Sequence, residues 1–148
     1  MKKMSENEQK FRLALSQLNA YEQQAQVLEG RIEAINQMME EIARASAALD
    51  ELKNMVPDQE ILVSLGAGTF LKARVAERER VVFQVGAGVV IEKSVDEVKA
   101  KLSERQGELQ KSLQTTAQQL DAIVRRAREL NRQVQDLAAK ISEERGLR

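Results

Sequence analysis

The 148-residue chain contains no cysteine, no histidine and no tryptophan. Without thiols or imidazoles there can be no disulfide, no zinc site of the usual donor set, no thiol nucleophile and no histidine acid–base chemistry. Aromatic side chains make up 3% of the residues, three Phe and one Tyr, so a compact core built on large aromatic areas is not expected. One proline and seven glycines leave few interruptions to a helix. No sign of charge dominates: 23 Lys and Arg balance 23 Asp and Glu, which gives no global attraction to nucleic acid or to an anionic membrane. No apolar run approaches the ~18–20 residues of a membrane span. The start, Met1-Lys2-Lys3-Met4-Ser5, lacks the apolar stretch of a signal peptide. These absences predict a soluble, intracellular protein that is not an enzyme, with no catalytic residues, no metal and no cofactor.

What is present points to long helices. From Phe11, alternating steps of three and four land on Phe11, Ala14, Leu18, Tyr21, Ala25, Leu28, Ile32, Ile35, Met39, Ile42, Ser46, Leu49, Lys53 and Val56. Twelve of these fourteen are apolar or aromatic, a heptad seam far longer than a coiled coil requires. Ser5 with Glu8 fits a capping box, and the single proline, Pro57, ends the helix, which is expected over 5–56. A second capping box at Ser94-Val95-Asp96-Glu97 opens a helix expected over 94–145. Its seam runs Val95, Lys99, Leu102, Gln106, Leu109, Leu113, Thr116, Leu120, Ile123, Ala127, Leu130, Val134, Leu137 and Ile141. Two helices of equal length on either side of a central segment predict an antiparallel coiled-coil hairpin, each helix burying its stripe against the other.

Between the helices the period changes from seven to two. Ile61, Val63 and Leu65 alternate with Leu62 and Ser64, and Leu71, Ala73 and Val75 with Phe70, Lys72 and Arg74; Val81, Phe83 and Val85, then Val89 and Ile91, alternate with Val82, Gln84, Val90 and Glu92. These are four short strands rich in β-branched residues. Ile61-Leu62-Val63-Ser64-Leu65-Gly66-Ala67-Gly68 aligns with Val81-Val82-Phe83-Gln84-Val85-Gly86-Ala87-Gly88 at an offset of twenty. Gly66, Gly68, Gly86 and Gly88 supply the positive backbone dihedrals of tight reversals, so residues 60–93 read as two tandem β-hairpins.

Such hairpins are marginal alone in water, and their open edges invite pairing. Leu62, Phe70, Val82 and Val90 lie on the face opposite the main apolar row, so one covering layer is not enough. Full burial of such side chains is worth ~1.5–3 kcal/mol apiece. The expected solution is oligomerisation through Ile61, Leu62, Val63, Leu65, Phe70, Leu71, Val81, Val82, Phe83, Val85, Val89, Val90 and Ile91, closing a barrel with hairpins of other subunits. The fold class is therefore mainly α with a small β core, one unit over 1–148.

This plan resembles the alpha class of prefoldin, the archaeal and eukaryotic cochaperone. The stretch Glu60-Ile61-Leu62-Val63-Ser64-Leu65-Gly66-Ala67-Gly68-Thr69-Phe70-Leu71-Lys72-Ala73 is similar to the first hairpin of that class. Val85-Gly86-Ala87-Gly88-Val89-Val90-Ile91-Glu92-Lys93-Ser94 is similar to the second, running into the helix. Two hairpins rather than one point to the alpha class, and the absence of long tails to an archaeal subunit. The resemblance implies a cytoplasmic hexamer of two alpha-class and four beta-class subunits, with coiled-coil tentacles. It implies a holdase that captures unfolded polypeptides without ATP and transfers them to a group II chaperonin.

The family binds clients near the distal ends of the helices. Two registers one heptad apart fit the seams. In the first, Phe11 packs on Leu137, Leu18 on Leu130 and Ala25 on Ile123; in the second, Leu18 meets Leu137 and Ala14 meets Ile141. Leu13 and Leu15 lie off the seam in both. Phe11, Leu13, Leu15, Ile141 and Leu147 are the candidate client-binding residues; equally, Phe11 and Ile141 close the seam and the leucines are ordinary surface residues.

The Gly-Ala-Gly elements lack the third glycine of a dinucleotide fingerprint and the Gly-Lys-Ser/Thr of a P-loop, and strand follows them. Arg125, Arg126, Arg128 and Arg132 read as a solvated face near Glu22, Glu29 and Glu33 of the other helix. Two rival classes remain: a structural coiled-coil scaffold or adaptor oligomerised through the hairpins, and a nucleic-acid binder, which charge neutrality and scarce aromatics disfavour.

Overall fold

The computed structural model describes residues 4–146, and Leu147 lies outside them. Helix α1 (Glu6–Lys53) leads through strands β1 (Glu60–Gly66), β2 (Thr69–Arg74), β3 (Arg80–Gly86) and β4 (Val89–Ser94) into helix α2 (Val95–Gly146). Two long helices thus flank two antiparallel hairpins, as the change of period predicts. The chain forms two compact units, one of Met1–Asn36 with Lys111–Arg148 and one of Gln37–Gln110.

In the first unit, the N-terminal part of α1 pairs antiparallel with the C-terminal part of α2. The helix starts with a cap: the amide of Glu8 donates to Ser5 Oγ at 3.2 Å. Glu8 turns its carboxylate to Arg145, 3.7 Å away. The seam residues are buried or half-buried: Ala14, Leu28, Ile35 and Leu130 are buried, and Phe11, Leu18, Tyr21, Ala25 and Ile141 are half-buried. Thr116, a polar seam residue, is buried with its hydroxyl donating to the carbonyl of Ser112 at 2.7 Å. That back-bond makes a buried hydroxyl tolerable. Ala14 shares a groove with Leu130 and Leu137, which is the first of the two registers.

The second unit begins with the end of α1. The helix stops at Lys53, three residues before the expected Val56. Its last turn tightens: the amides of Asn54 and Met55 donate to the carbonyls of Glu51 and Leu52 at 3.0 and 3.2 Å. A reversal follows, with Pro57 at its second position and Asp58 at φ 60°, closed by the amide of Gln59 on the carbonyl of Val56 at 3.2 Å. The seam also shifts: Leu52 and Met55 are half-buried, whereas Lys53 and Val56 are exposed. The Lys53 ammonium stays in water and pairs with Asp96, and Lys99 pairs with Asp50. These two ion pairs also match the first register. Val95, Val98 and Leu102 of α2 are buried here.

Each hairpin is its own two-stranded sheet, β1 with β2 and β3 with β4. Glu60 pairs with Arg74 and Ser64 with Phe70; Arg80 pairs with Ser94 and Gln84 with Val90. The offset of twenty therefore holds pair for pair. The turns hold a detail the glycines alone did not predict: Ala67 and Ala87 also have positive φ, 50° and 48°. With Gly66 opposite Thr69 and Gly86 opposite Val89, the two-residue loops Ala67-Gly68 and Ala87-Gly88 have positive φ at both positions, the type I′ arrangement. Gly66 and Gly86 lie at the irregularity just before it, where the bulged strand needs their freedom at φ 98° and 140°.

Candidate functional site

The hairpins of the second unit carry most of the exposed large apolar side chains. Of the thirteen residues predicted to mediate oligomerisation, ten are exposed: Leu62, Val63, Leu65, Phe70, Leu71, Val82, Val85, Val89, Val90 and Ile91. The other three, Ile61, Val81 and Phe83, are half-buried. Register sorts the exposed residues onto both faces. In the first hairpin Val63 lies opposite Leu71 on one face, while Leu62 and Phe70 belong to the other. In the second, Phe83 lies opposite Ile91, while Val82 and Val90 belong to the other face.

The half-burial of Phe83 has a cause in α2. The Arg105 guanidinium stands 4.8 Å from the Phe83 ring centroid. A cation over a ring face at this distance is attractive by ~0.5–1 kcal/mol where water has access. The base of the hairpins is held polar to polar: Arg78 donates to the carbonyl of Met55, just past the end of α1, where carbonyls lack helical partners. At the start of α2, Ser94 Oγ accepts from the amide of Glu97 at 3.2 Å. Hydrogen bonding and the positive charge of Lys53 hold the Asp96 carboxyl below its ordinary pKa. Arg78, Val98 and Arg105 escaped the sequence reading. Val98 could have been found as the extra apolar residue of the first turn, three after Val95; the two arginines had no periodic signal.

In the first unit, the candidate client residues split by exposure. Leu13 is 62% exposed and Leu15 38%, whereas Phe11 and Ile141 are half-buried in the seam. Leu13 lines a groove with Lys10, Gln17, Gln133 and Lys140, beside Ala14 and Leu137. At the same end Asn7 donates to Glu144, so the last turns are tied by polar contacts rather than by an apolar plug. Of the four arginines of the α2 face, two pair within their own helix, Arg125 with Asp121 at 3.0 Å and Arg132 with Glu129 at 4.0 Å, rather than with Glu22, Glu29 or Glu33 of α1. Spacing of three or four residues makes the intrahelical acid the nearer partner.

Comparison with known proteins agrees with this architecture. A prefoldin subunit family model matches residues 21–140. The prefoldin subunit alpha of Pyrococcus horikoshii is 29% identical over 140 residues, covering 94% of this chain and 95% of the relative. That of Methanococcus vannielii is 31% identical over 127 residues, covering 86% and 85%. Among solved structures, filamentous PFD from Methanocaldococcus jannaschii aligns with TM-score 0.64 at 21% identity, over 82% of this chain and 95% of that one. The prefoldin beta subunit of Thermococcus strain KS-1 aligns with TM-score 0.55 at 20% identity, over 92% and 96%. Helices, tandem hairpins and sequence relatives lead to one placement: the chain belongs to the prefoldin subunit family, and the two sequence relatives compared above are archaeal alpha subunits.

Proposed function

We propose that this chain is one of two alpha-class subunits in a cytoplasmic hexamer completed by four beta-class subunits. The assembly is an ATP-independent holdase for unfolded polypeptides, which it transfers to a group II chaperonin. The observation that carries the reading is the hairpin pair: ten large apolar side chains on both faces of two separate two-stranded sheets are exposed in one chain. Assembly into a barrel covers those faces and removes the open edges. Clients are held by the exposed leucines at the helix ends, Leu13 and Leu15, with Phe11 and Ile141 joining as the last turns fray. Each contact is weak, and several arms acting on one chain raise the effective affinity.

The test is native mass spectrometry of this chain with and without a beta-class subunit, followed by aggregation suppression with a denatured test protein. A mixed hexamer that suppresses aggregation, and loses that activity with Leu13→Ser and Leu15→Ser while staying assembled, is expected. A stable monomer at micromolar concentration in the presence of the beta-class subunit would overturn the reading. An assembled hexamer without suppression would leave a structural scaffold instead.

A further inference from the structure

One flank of the helix pair in the first unit is built differently from the other. In the heptad frame set by the seam, the g positions of α1 are Lys10, Gln17, Gln24 and Arg31, and those of α2 are Gln119, Arg126, Gln133 and Lys140. In an antiparallel pair these eight line the same side, where coiled coils ordinarily place acids opposite bases. Here there are four bases, four glutamines and no acid. The c positions of α1 beside them are Leu13, Ala20, Val27 and Ala34, all exposed, and Glu6 and Glu41 bound the stripe at either end. Val27 is as exposed as Leu13, at 62%. Two grooves lie on this flank: one of about 650 Å³ with Ala20, Val27, Ala122 and Arg126 in its wall, and one with Leu13, Gln17, Gln133 and Lys140. Two acids stand at c positions of α2: Asp136 lines the second groove beside Gln133 and Lys140, and Glu129 is engaged by Arg132 at 4.0 Å.

We propose that this flank is a docking surface for a third helix, an acidic amphipathic segment of a partner protein about three heptads long. Apolar residues at heptad spacing form a second seam, too small to draw the two existing helices and open to a knob from outside. The partner sets its leucines into the grooves between Leu13, Ala20 and Val27 and its glutamates against Arg31, Arg126 and Lys140, while Lys10 is engaged by Glu6 at 3.3 Å. A second copy of this chain is a poor occupant. A two-fold contact through this flank would set four bases against the same four bases. The surface shares Leu13 with the tip leucines proposed to hold clients and runs from there to Ala20 and Val27, which they do not include.

The experiment uses the full chain assembled with its beta-class partner and two labelled helical peptides of about three heptads, identical in their leucines. One carries glutamate and the other lysine at the flanking positions. Fluorescence anisotropy is expected to show the acidic peptide binding about tenfold or more tighter than the basic one. Ala20→Glu with Val27→Glu should weaken the acidic peptide by about tenfold or more, and Arg126→Glu with Lys140→Glu should reverse the preference. All four positions are exposed or at the rim, and circular dichroism checks that helix content is kept. Equal binding of both peptides, or a preference unaltered by the charge reversal, overturns the proposal. Aggregation suppression is measured on the same variants. Its retention while the acidic peptide is lost separates the two surfaces, and a joint loss overturns a separate docking site.

Discussion

The amide of Val95 donates to the carbonyl of Glu79 at 2.9 Å, and Val95 is the most buried apolar residue described, at 2% exposure. It is at once the last rung below the second hairpin and the first residue of α2. Twenty residues earlier, Val75 makes the equivalent bond to Gln59 at 3.0 Å and is also buried. Both hairpins are thus anchored at the base by a valine, although their tips are exposed. Val95→Ala leaves the hydrogen bond and removes two buried methyls with nothing to refill the space. It is expected to destabilise the folded chain by about 2 kcal/mol, read as a lower urea midpoint at unchanged slope.

The turns carry correctable strain. Ala67 and Ala87 occupy positive φ, where a Cβ is disfavoured by ~1–2 kcal/mol and asparagine is accommodated by its short polar side chain. Ala67→Asn and Ala87→Asn each create the Asn-Gly pair favoured by a type I′ turn. Each is expected to raise stability by about 0.5–1 kcal/mol. Thermal melts of single and double variants check this, and the gains should add because the two turns belong to separate sheets.

Much of this architecture was legible because its signals are long and periodic. The seam from Phe11 to Leu49 is visible as unbroken heptads, and the structure buries or half-buries every one of those positions. At the end of α1 the spacing and the burial part: Lys53 and Val56 keep the spacing, but an ammonium finds its partner in Asp96 outside the seam, and Leu52 and Met55 are the half-buried residues. Two contacts that steady the hairpins, Arg105 on Phe83 and Arg78 on the Met55 carbonyl, join residues more than twenty apart through long flexible side chains. No spacing rule announces them. At the candidate client site the limit is narrower: Leu13 is off the seam in either register and is exposed, whereas the burial of Phe11 depends on the register, which shows in the groove that Ala14 shares with Leu130 and Leu137.

Asp96 couples the end of α1 to the start of α2. Its carboxylate is favoured by the hydrogen bond and charge of Lys53, and then by the charge of Lys99, so its folded pKa is lower than its unfolded one. The stabilisation is complete above the unfolded aspartate pKa and disappears as pH falls through the folded pKa. Asp96→Asn should therefore lower the melting temperature at pH 7, and the gap from the wild type should close as the pH is brought below the ordinary aspartate range. High salt should narrow it as well, since both partners are solvent-accessible. A gap that stays constant with pH would assign the loss to helix capping geometry instead.

Gln106 is a seam position whose side chain is satisfied on one side only. Its Nε2 donates to the carbonyl of Met39 at 3.3 Å, while its Oε1 is buried with no partner among the described residues. An orphaned buried acceptor costs ~1–3 kcal/mol, so a leucine of similar volume removes a penalty while losing one modest bond. Gln106→Leu is expected to stabilise the helix pair by about 1 kcal/mol. The same change removes a polar marker that distinguishes this layer from its neighbours, and a seam of uniform leucines tolerates a one-heptad slip. Cysteines at Asp50 and Lys99 report the register: they should cross-link efficiently with Gln106 present and less efficiently with leucine in its place. A rise in melting temperature with unchanged cross-linking would show that the register is held without help from Gln106.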